Sequence, residues 1–497
     1  MTCGKRYLAL LLCLLLLAGC GGNPYRDIPA PPEQPPEERQ AEFLTFLKAV
    51  NDRRQAVFAD QEAPLLDEGW TPELTDMDSD FTQEEQNALL QVLDPLDPTP
   101  ELREAVPVTV EDARSDVDLA FRLLRHSYGA YDYFGGDEVF LPLKEAALAA
   151  LPEEGTVSPE TLEKALADAL GPVLVDGHFS IGGTFFQEIH RQYMYYVPDL
   201  YFDDPEGLDP DLVKPTIDEE GRLRLTLATT STPEAAESLL PETATIQGTA
   251  VVLSWKPDGT TGNRGEDVFK ESTFLNGVPL LTSTRMMADS EQQQEQLERL
   301  ATCGGEYADA PVLVLDLRSN IGGNSGYIES WFAGYTGQAA STRAARAIKL
   351  SPLNRQLYLT YIAPLMDMPE VSSLWWKTTS PGTVTPREGL TLVLQDKGTG
   401  SSGETAVRLM RTVENTLTIG GCTSGSCLTP NVFSFYLPHS GVTVRFGTGL
   451  GLYEDMTNRD GKGWLPDLWV PSGQAQERAR KMIEYYHLTE LFGQQDD

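Results

Sequence analysis

Ser401 is the residue of this 497-residue sequence whose setting best suits nucleophilic chemistry. It lies in a glycine-rich turn between an apolar run at 391–395 and a helical pattern that places Ala406 and Met410 inward. Hydrolysis by a serine requires a base to take its proton and amides to stabilise the oxyanion. Amides and the dipole at a helix start favour negative charge. On local sequence alone, a simple helix cap at Ser401 or Ser402 is the favoured interpretation.

His178 is the candidate base. It follows Asp176-Gly177 and an apolar run, 173–175, that predicts a short strand. Only five histidines are present, and ordinary structural positions account for the other four: a helix end, a polar stretch, a turn and the last helix (His126, His190, His439 and His487).

The stretch 311–326 indicates where the amides could come from. Its unbroken apolar run, 312–315, predicts a strand buried on both faces of an α/β sheet. Asp316 and Arg318 follow the run and are expected to brace the loop, in which Gly322 and Gly323 would let backbone amides approach a ligand. Ligands bind at such carboxyl ends of strands. A phosphate fits less well, because the Lys-Ser/Thr ending of a P-loop is absent.

Three motifs together resemble the tail-specific peptidase superfamily: Asp-Leu-Arg-Ser-Asn-Ile-Gly-Gly at 316–323, Ser-Ser-Gly-Glu at 401–404, and Gly-Lys-Gly-Trp-Leu-Pro-Asp at 461–467. That group includes the C-terminal processing peptidases, the tricorn core protease and the repeats of interphotoreceptor retinoid-binding protein. The resemblance covers roughly 111–490. It implies an α/β fold with a ClpP/crotonase-like spiral core.

The same resemblance implies roles for individual residues. Ser401 would be the nucleophile. The lysine of the Ser-Lys branch is missing at 425–427, whereas the histidine of the tricorn-like branch matches His178. The accompanying carboxylate would be Asp460, with Glu454 in reserve.

The remaining implied roles concern the oxyanion and a rival base. The amides of Gly323 or Gly322 and of Ser402 would bind the oxyanion. Lys462 would serve as a base only if it were buried enough to lose its proton. No cofactor is expected, and no metal-binding helix of the His-Glu-x-x-His type occurs.

The amino terminus predicts export. Lys5 and Arg6 precede an apolar run at 7–17 that is too short to span a membrane as a mature helix. Leu-Ala-Gly-Cys at 17–20 then resembles a bacterial lipobox, which implies lipid on Cys20 and a location on the extracytoplasmic face of the cell membrane. An ordinary signal peptide is the alternative.

Charge and cysteine content limit the partners. The formal net charge of −36 makes nucleic acid a poor partner. Beyond Cys20, the mature chain has Cys303, Cys422 and Cys427, for which one disulfide and one free thiol is the simplest pairing outside the cytoplasm. Cys422 and Cys427 could close a small loop. A zinc site is disfavoured because no second closely spaced pair accompanies them.

These observations divide the chain into six segments: a signal peptide at 1–19, a Pro/Glu tether at 20–40, a mainly helical region at 41–182 that ends in the His178 turn, a β-rich region at 183–300, a catalytic core at 301–475, and a final helix and tail at 476–497.

The function expected from the sequence is a lipid-anchored serine endopeptidase that cleaves proteins or peptides. The alternative is an inactive relative that binds peptides or apolar ligands. The sequence specifies neither the cleavage preference nor the oligomeric state.

Overall fold

The computed structural model describes residues 23–59, 64–66, 70, 104–262, 265–275, 277–351, 353–354 and 375–493. Cys20 and the predicted signal peptide lie outside the described residues. In the described part of the chain, no helix is both long enough and apolar enough to cross a membrane.

Eleven α-helices are described, in chain order: α1 (Pro36–Val57), α2 (Val110–Ser127), α3 (Gly136–Ala149), α4 (Pro159–Leu170), α5 (Gln187–His190), α6 (Pro233–Leu239), α7 (Glu291–Thr302), α8 (Gly326–Thr336), α9 (Ser402–Met410), α10 (Ala475–Tyr485) and α11 (Leu488–Gly493).

The described strands are β1 (Val108–Thr109), β2 (Thr156–Val157), β3 (Ser180–Ile181), β4 (Thr184–Phe185), β5 (Tyr193–Tyr196), β6 (Val213–Ile217), β7 (Leu223–Ser231), β8 (Thr243–Ile246), β9 (Thr249–Val252), β10 (Lys256–Pro257), β11 (Phe269–Thr273), β12 (Pro279–Ser283), β13 (Val312–Asp316), β14 (Ala344–Lys349), β15 (Trp375–Ser380), β16 (Leu390–Gln395), β17 (Thr416–Gly420), β18 (Val432–Tyr436), β19 (Thr443–Gly447), β20 (Gly449–Tyr453) and β21 (Leu468–Trp469).

A six-stranded sheet in the order β11-β12-β13-β16-β17-β21 forms the centre of the fold. The strands from β12 to β21 are parallel, and β11 pairs antiparallel with β12. The predicted α/β class is confirmed. The predicted β-rich middle region contributes β11 and β12 to this sheet.

Helices cover both faces of the sheet. Along β13, Leu313 and Leu315 face a core shared with α7, α8 and α9, whereas Val312 and Val314 face a core shared with α1 and α10. Every second residue thus enters a different core. This is why the run is apolar without interruption.

The parallel arrangement places the ends of β13 and β16 at one edge of the sheet. Val312 pairs with Leu390, and Asp316 pairs with Leu394. The glycine loop after β13 and the Ser401 turn after β16 therefore emerge side by side, as expected for a ligand-binding edge of an α/β sheet.

The helices α2 to α4 pack against one another. Their apolar faces pack on a sheet in the order β18-β19-β3-β4, with Phe435, Val444 and Phe446 in the shared core. Ser158 caps α4 by accepting a hydrogen bond from the Thr161 amide at 3.3 Å. The sheet brings β3, and with it His178, next to the main core.

Two expectations differ from the structure. Residues 173–175 form a turn and an irregular segment rather than a strand, because hydrogen bonds from the amides of Val173 and Leu174 to the Leu170 carbonyl continue the end of α4. The cysteines Cys303, Cys422 and Cys427 are all free thiols.

The segment before residue 58 is more ordered than a tether. Tyr25 and Ile28 are buried in the core of the β-rich region, and α1 packs on the central sheet. On α1, buried Arg54 pairs with Asp467 at 2.5 Å. Removing one partner of such a pair leaves an uncompensated buried charge, which typically costs about 3–5 kcal/mol. The helix is thus attached to the core by both charge and packing.

Candidate active site

Ser401 has an unusual backbone conformation. Its φ is 52° and its ψ is −118°, a sparsely populated combination for a residue with a side chain. The surrounding turn fixes it: the Gly400 amide donates to the Asn320 carbonyl at 2.8 Å, and the Thr405 amide donates to the Ser401 carbonyl at 3.0 Å. Strain of this kind is concentrated at functional sites.

The serine side chain meets His178. Ser401 Oγ lies 3.1 Å from His178 Nε2, within hydrogen-bonding distance. Ser401 also occupies the N-cap position of α9. The same serine thus stands at the helix cap and meets His178, so its position as a cap does not exclude a role as nucleophile. The histidine and the serine are 223 residues apart in the chain.

Asp176 fixes the backbone of the turn that carries the histidine. Its fully buried carboxylate accepts hydrogen bonds from the His178 amide at 2.8 Å, from the Tyr128 hydroxyl at 2.7 Å and from Thr429 Oγ1 at 2.8 Å. The intervening Gly177 allows close packing, since a Cβ there would lie 2.5 Å from Ser426 Oγ. The backbone of the histidine turn is therefore firmly held.

The other ring nitrogen of His178 has weaker support. Nδ1 is buried, and no described acceptor forms a well-aligned hydrogen bond with it. Burial lowers the pKa of His178, Asp176 partly offsets this, and Arg445 adds to the lowering. The Thr429 carbonyl favours the protonated ring. The neutral ring that a general base requires is thus favoured at rest.

Asp460 lies at the site without touching the imidazole. It accepts hydrogen bonds from the amides of Gly177 at 2.7 Å, Cys427 at 2.7 Å and Leu428 at 3.0 Å. Burial and the Asp176 carboxylate raise the pKa of Asp460 well above its ordinary value. Asp460 thereby ties the histidine turn to the loop at 423–429.

The two alternative residues, Glu454 as the carboxylate and Lys462 as the base, have environments that do not suit these roles. Glu454 forms an ion pair with Arg411 at 3.0 Å. Lys462 is exposed, so it lacks the burial that a lysine base would require.

Glu404 organises the nucleophile's side of the site. Its buried carboxylate accepts hydrogen bonds from the Ser401 amide at 3.3 Å, Thr423 Oγ1 at 2.5 Å, the Gly425 amide at 2.8 Å and the Ser426 amide at 2.7 Å. It links the serine turn to the loop at 423–429.

Fewer backbone amides are available for the candidate oxyanion hole than the sequence suggests. The Gly322 amide donates to Asn320 Oδ1 at 2.9 Å and is therefore occupied. The amides of Gly323 and Ser402 make no hydrogen bond to a described residue. Gly322 contributes through its lack of a side chain, since a Cβ would lie 2.7 Å from both Ser401 Cβ and the Ser402 nitrogen.

An ion pair and several hydrogen bonds stabilise the glycine loop that follows β13. Arg318 pairs with Asp316 at 2.6 Å and donates to the Ser472 carbonyl at 3.0 Å. Asp396, at the end of β16, accepts from the amides of Ser319 at 2.7 Å and Gly398 at 2.9 Å. The sequence analysis missed Asp396, although its place directly after a buried strand, like that of Asp316, could have indicated it.

Lys397 was also missed. It is buried, and its Nζ donates to the carbonyls of Thr423, Ser424 and Gly461 at 3.0–3.1 Å. Burial lowers its pKa. Since all three contacts require a donor, this lysine fixes the loop at 423–429 rather than acting as a base.

No group of three or more His, Cys, Asp or Glu side chains in the described ranges is arranged to hold a metal ion.

Solved structures of peptidases are similar to this chain. Mature CPAF complexed with lactacystin is 14% identical, with a TM-score of 0.43 and coverage of 77% of this chain and 99% of that chain. The photosystem II D1 C-terminal processing protease is 13% identical, with a TM-score of 0.34 and coverage of 72% and 93%. The tricorn protease is 14% identical, with a TM-score of 0.34 and coverage of 78% and 37%.

Two of these structures are, by their names, of kinds that the motif resemblance includes: a C-terminal processing protease and the tricorn protease. No family model matches the chain, and no curated protein matches its sequence. The assignment of an activity therefore rests on the residues of the site.

The lowered pKa of His178 predicts the acid limb of any catalysed reaction. A base must be neutral, so the midpoint of the fall in kcat/KM on the acid side should lie below pH 6.5, the ordinary value for histidine, with a tenfold loss per pH unit below that midpoint. The measurement is kcat/KM for a fluorogenic peptide between pH 4 and pH 8 at constant ionic strength, with circular dichroism to monitor folding. A midpoint above 6.5 would contradict it.

Proposed function

We propose that the protein is a serine endopeptidase that uses Ser401 as nucleophile and His178 as general base. The contact of 3.1 Å between Ser401 Oγ and His178 Nε2, made by a strained serine at a helix start, is the observation that carries this proposal. Proteins or peptides are its substrates.

The reaction follows from the placement of these groups. Ser401 Oγ attacks the carbonyl carbon of the scissile bond while His178 Nε2 takes the hydroxyl proton. The oxyanion accepts hydrogen bonds from the Gly323 and Ser402 amides. His178 then gives the proton to the leaving amine, and the carbon–nitrogen bond breaks. Water, deprotonated by His178, releases the acyl group from Ser401.

Asp460 takes the role of a positioning residue in this scheme. Its hydrogen bonds go to backbone amides on both sides of the histidine rather than to the ring. It thus preserves the geometry of the turn, while Nδ1 relies on the nearby Thr429 carbonyl.

An inactive binding protein is the second candidate. The absence of a well-aligned described partner for His178 Nδ1 favours it, because an oriented imidazole is central to serine catalysis. The scaffold would then bind peptides or apolar ligands at the same edge of the sheet.

A fluorophosphonate probe separates the two candidates. The wild-type protein should be labelled at one serine, Ser401→Ala should not be labelled, and His178→Ala should lose about six orders of magnitude in kcat. Ser330→Ala, at an exposed position, and His487→Ala, at a half-buried position, are matched controls and should retain both labelling and cleavage. Absence of labelling in a wild-type protein with a cooperative thermal transition would leave only the binding function.

We further propose that lipid on Cys20 anchors the protein to the extracytoplasmic face of the membrane. The motif Leu-Ala-Gly-Cys after an apolar run supports this proposal. A Cys20→Ser variant should move from the membrane fraction to the soluble fraction of its native host, while Cys303→Ser should not. Equal membrane retention of both variants would argue against lipidation.

A further inference from the structure

A cavity of about 360 Å³ lies between α8, α9, β14 and β15, and none of the residues proposed for catalysis lines it. Its lining includes two arginines, one glutamate and several hydroxyl groups, namely Arg346, Arg408, Glu329, Thr342, Thr378 and Ser380. Alanines make up much of the rest of the lining, so the charged groups distinguish this cavity from an apolar packing gap.

Arg408 is a buried arginine of the cavity lining. Its side chain is 5% exposed, and its guanidinium carbon lies 3.6 Å from the centroid of the Tyr453 ring. Nη2 makes one long contact to Thr405 Oγ1 at 3.5 Å, and the buried Nη1 has no hydrogen-bond partner among the described residues. A buried donor without an acceptor is costly. The stacked ring keeps this guanidinium in place.

Arg346 brings a second positive charge to the same place. Its guanidinium carbon lies 5.5 Å from the centroid of the same Tyr453 ring, and its side chain is exposed. Neither arginine forms an ion pair with a described acidic residue, although other arginines of this acidic chain do so, as Arg299, Arg318 and Arg411 show.

Glu329 is the acid of the lining. It is exposed and lies near enough to act on the charge of Arg408, but it forms no ion pair with either arginine. Two positive charges against one negative charge leave the cavity cationic. Two guanidinium groups with free donors match the oxygens of a carboxylate.

The cavity is within reach of a peptide bound at Ser401. Arg408 is seven residues, or about 10 Å of helix rise, beyond the nucleophile on α9. Helical side chains tilt towards the amino terminus, and the contact with Thr405 shows that this one does so. Since an extended peptide advances about 3.3 Å per residue, two or three residues cover the distance.

We propose that this cavity binds a carboxylate of the peptide substrate. The proposal rests on the proposed peptidase function and specifies its substrate class. The carboxylate is either an acidic side chain near the scissile bond or the free carboxyl terminus of the peptide. Arg346 and Arg408 are its ligands, and the Tyr453 ring orients them.

The test compares matched peptides. Internally quenched octapeptides that the protein cleaves are made in pairs, with Glu or Gln at each position within three residues of the cut, and with a carboxyl-terminal acid or amide. Rates are normalised by fluorophosphonate titration of active sites. One acidic member should have a kcat/KM about tenfold to a hundredfold above its neutral partner, as expected for charged hydrogen bonds. The pair that shows this difference identifies the carboxylate as either an acidic side chain or the carboxyl terminus of the peptide.

The variants assign the effect to the cavity. Arg346→Gln, at an exposed position, and Arg408→Gln should each reduce the ratio of acidic to neutral peptide to about one. Arg480→Gln, on the distant helix α10, should leave the ratio unchanged. An unchanged ratio in Arg346→Gln would overturn the proposal even if Arg408→Gln does not fold.

A binding measurement separates this proposal from the proposed function. In Ser401→Ala, fluorescence anisotropy with labelled peptides of each pair needs no turnover. A preference of about tenfold or more for the acidic peptide that Arg346→Gln removes supports the cavity, even if the wild-type protein cleaves nothing. Fluorophosphonate labelling together with equal rates and equal affinities within every pair would overturn the carboxylate site while the peptidase stands.

Discussion

The geometry of the site depends on three buried carboxylates that share one loop. Glu404 connects the Ser401 turn to residues 423–426, Asp460 connects Gly177 to residues 427–428, and Asp176 connects His178 to Thr429. Removing a carboxylate from water is costly unless hydrogen bonds replace its hydration. Here backbone amides and hydroxyl groups do so.

The loop at 423–429 therefore connects two distant parts of the chain. The serine follows β16 of the central sheet, and the histidine just precedes β3, in the sheet that packs on helices α2 to α4. Because both turns are bonded to the loop at 423–429, and Lys397 fixes that loop from behind, their separation is set by the same few contacts. The hydrogen-bonding distance between Ser401 and His178 follows from this arrangement rather than from local sequence.

Local pattern was enough to predict the framework. The unbroken apolar run at 312–315 predicted β13, since a strand buried on both faces has no polar alternation, and the run at 391–395 predicted β16. The resemblance of three motifs to the tail-specific peptidases brought Ser401, His178 and the loop of Gly323 into one hypothesis. The run at 173–175 was misassigned because three apolar residues fit a turn after a helix as well as a strand.

The unpredicted features are contacts between a side chain and a distant backbone or ring. The bonds from the Gly177 and Cys427 amides to Asp460 have no periodic signature, and neither has the occupation of the Gly322 amide by Asn320. Arg408, Arg346 and Tyr453 come from α9, β14 and β20, so only the fold brings them together. Residues of this kind decide what the site can hold.

The proposed oxyanion hole, formed by the glycine loop and the start of α9, can be tested by a crystal structure of the protein treated with a peptidyl phosphonate. We expect phosphorus bonded to Ser401 Oγ and a phosphoryl oxygen about 2.7–3.1 Å from the amide nitrogens of Gly323 and Ser402. An adduct whose oxygen points away from both amides, or one formed on another residue, would contradict it.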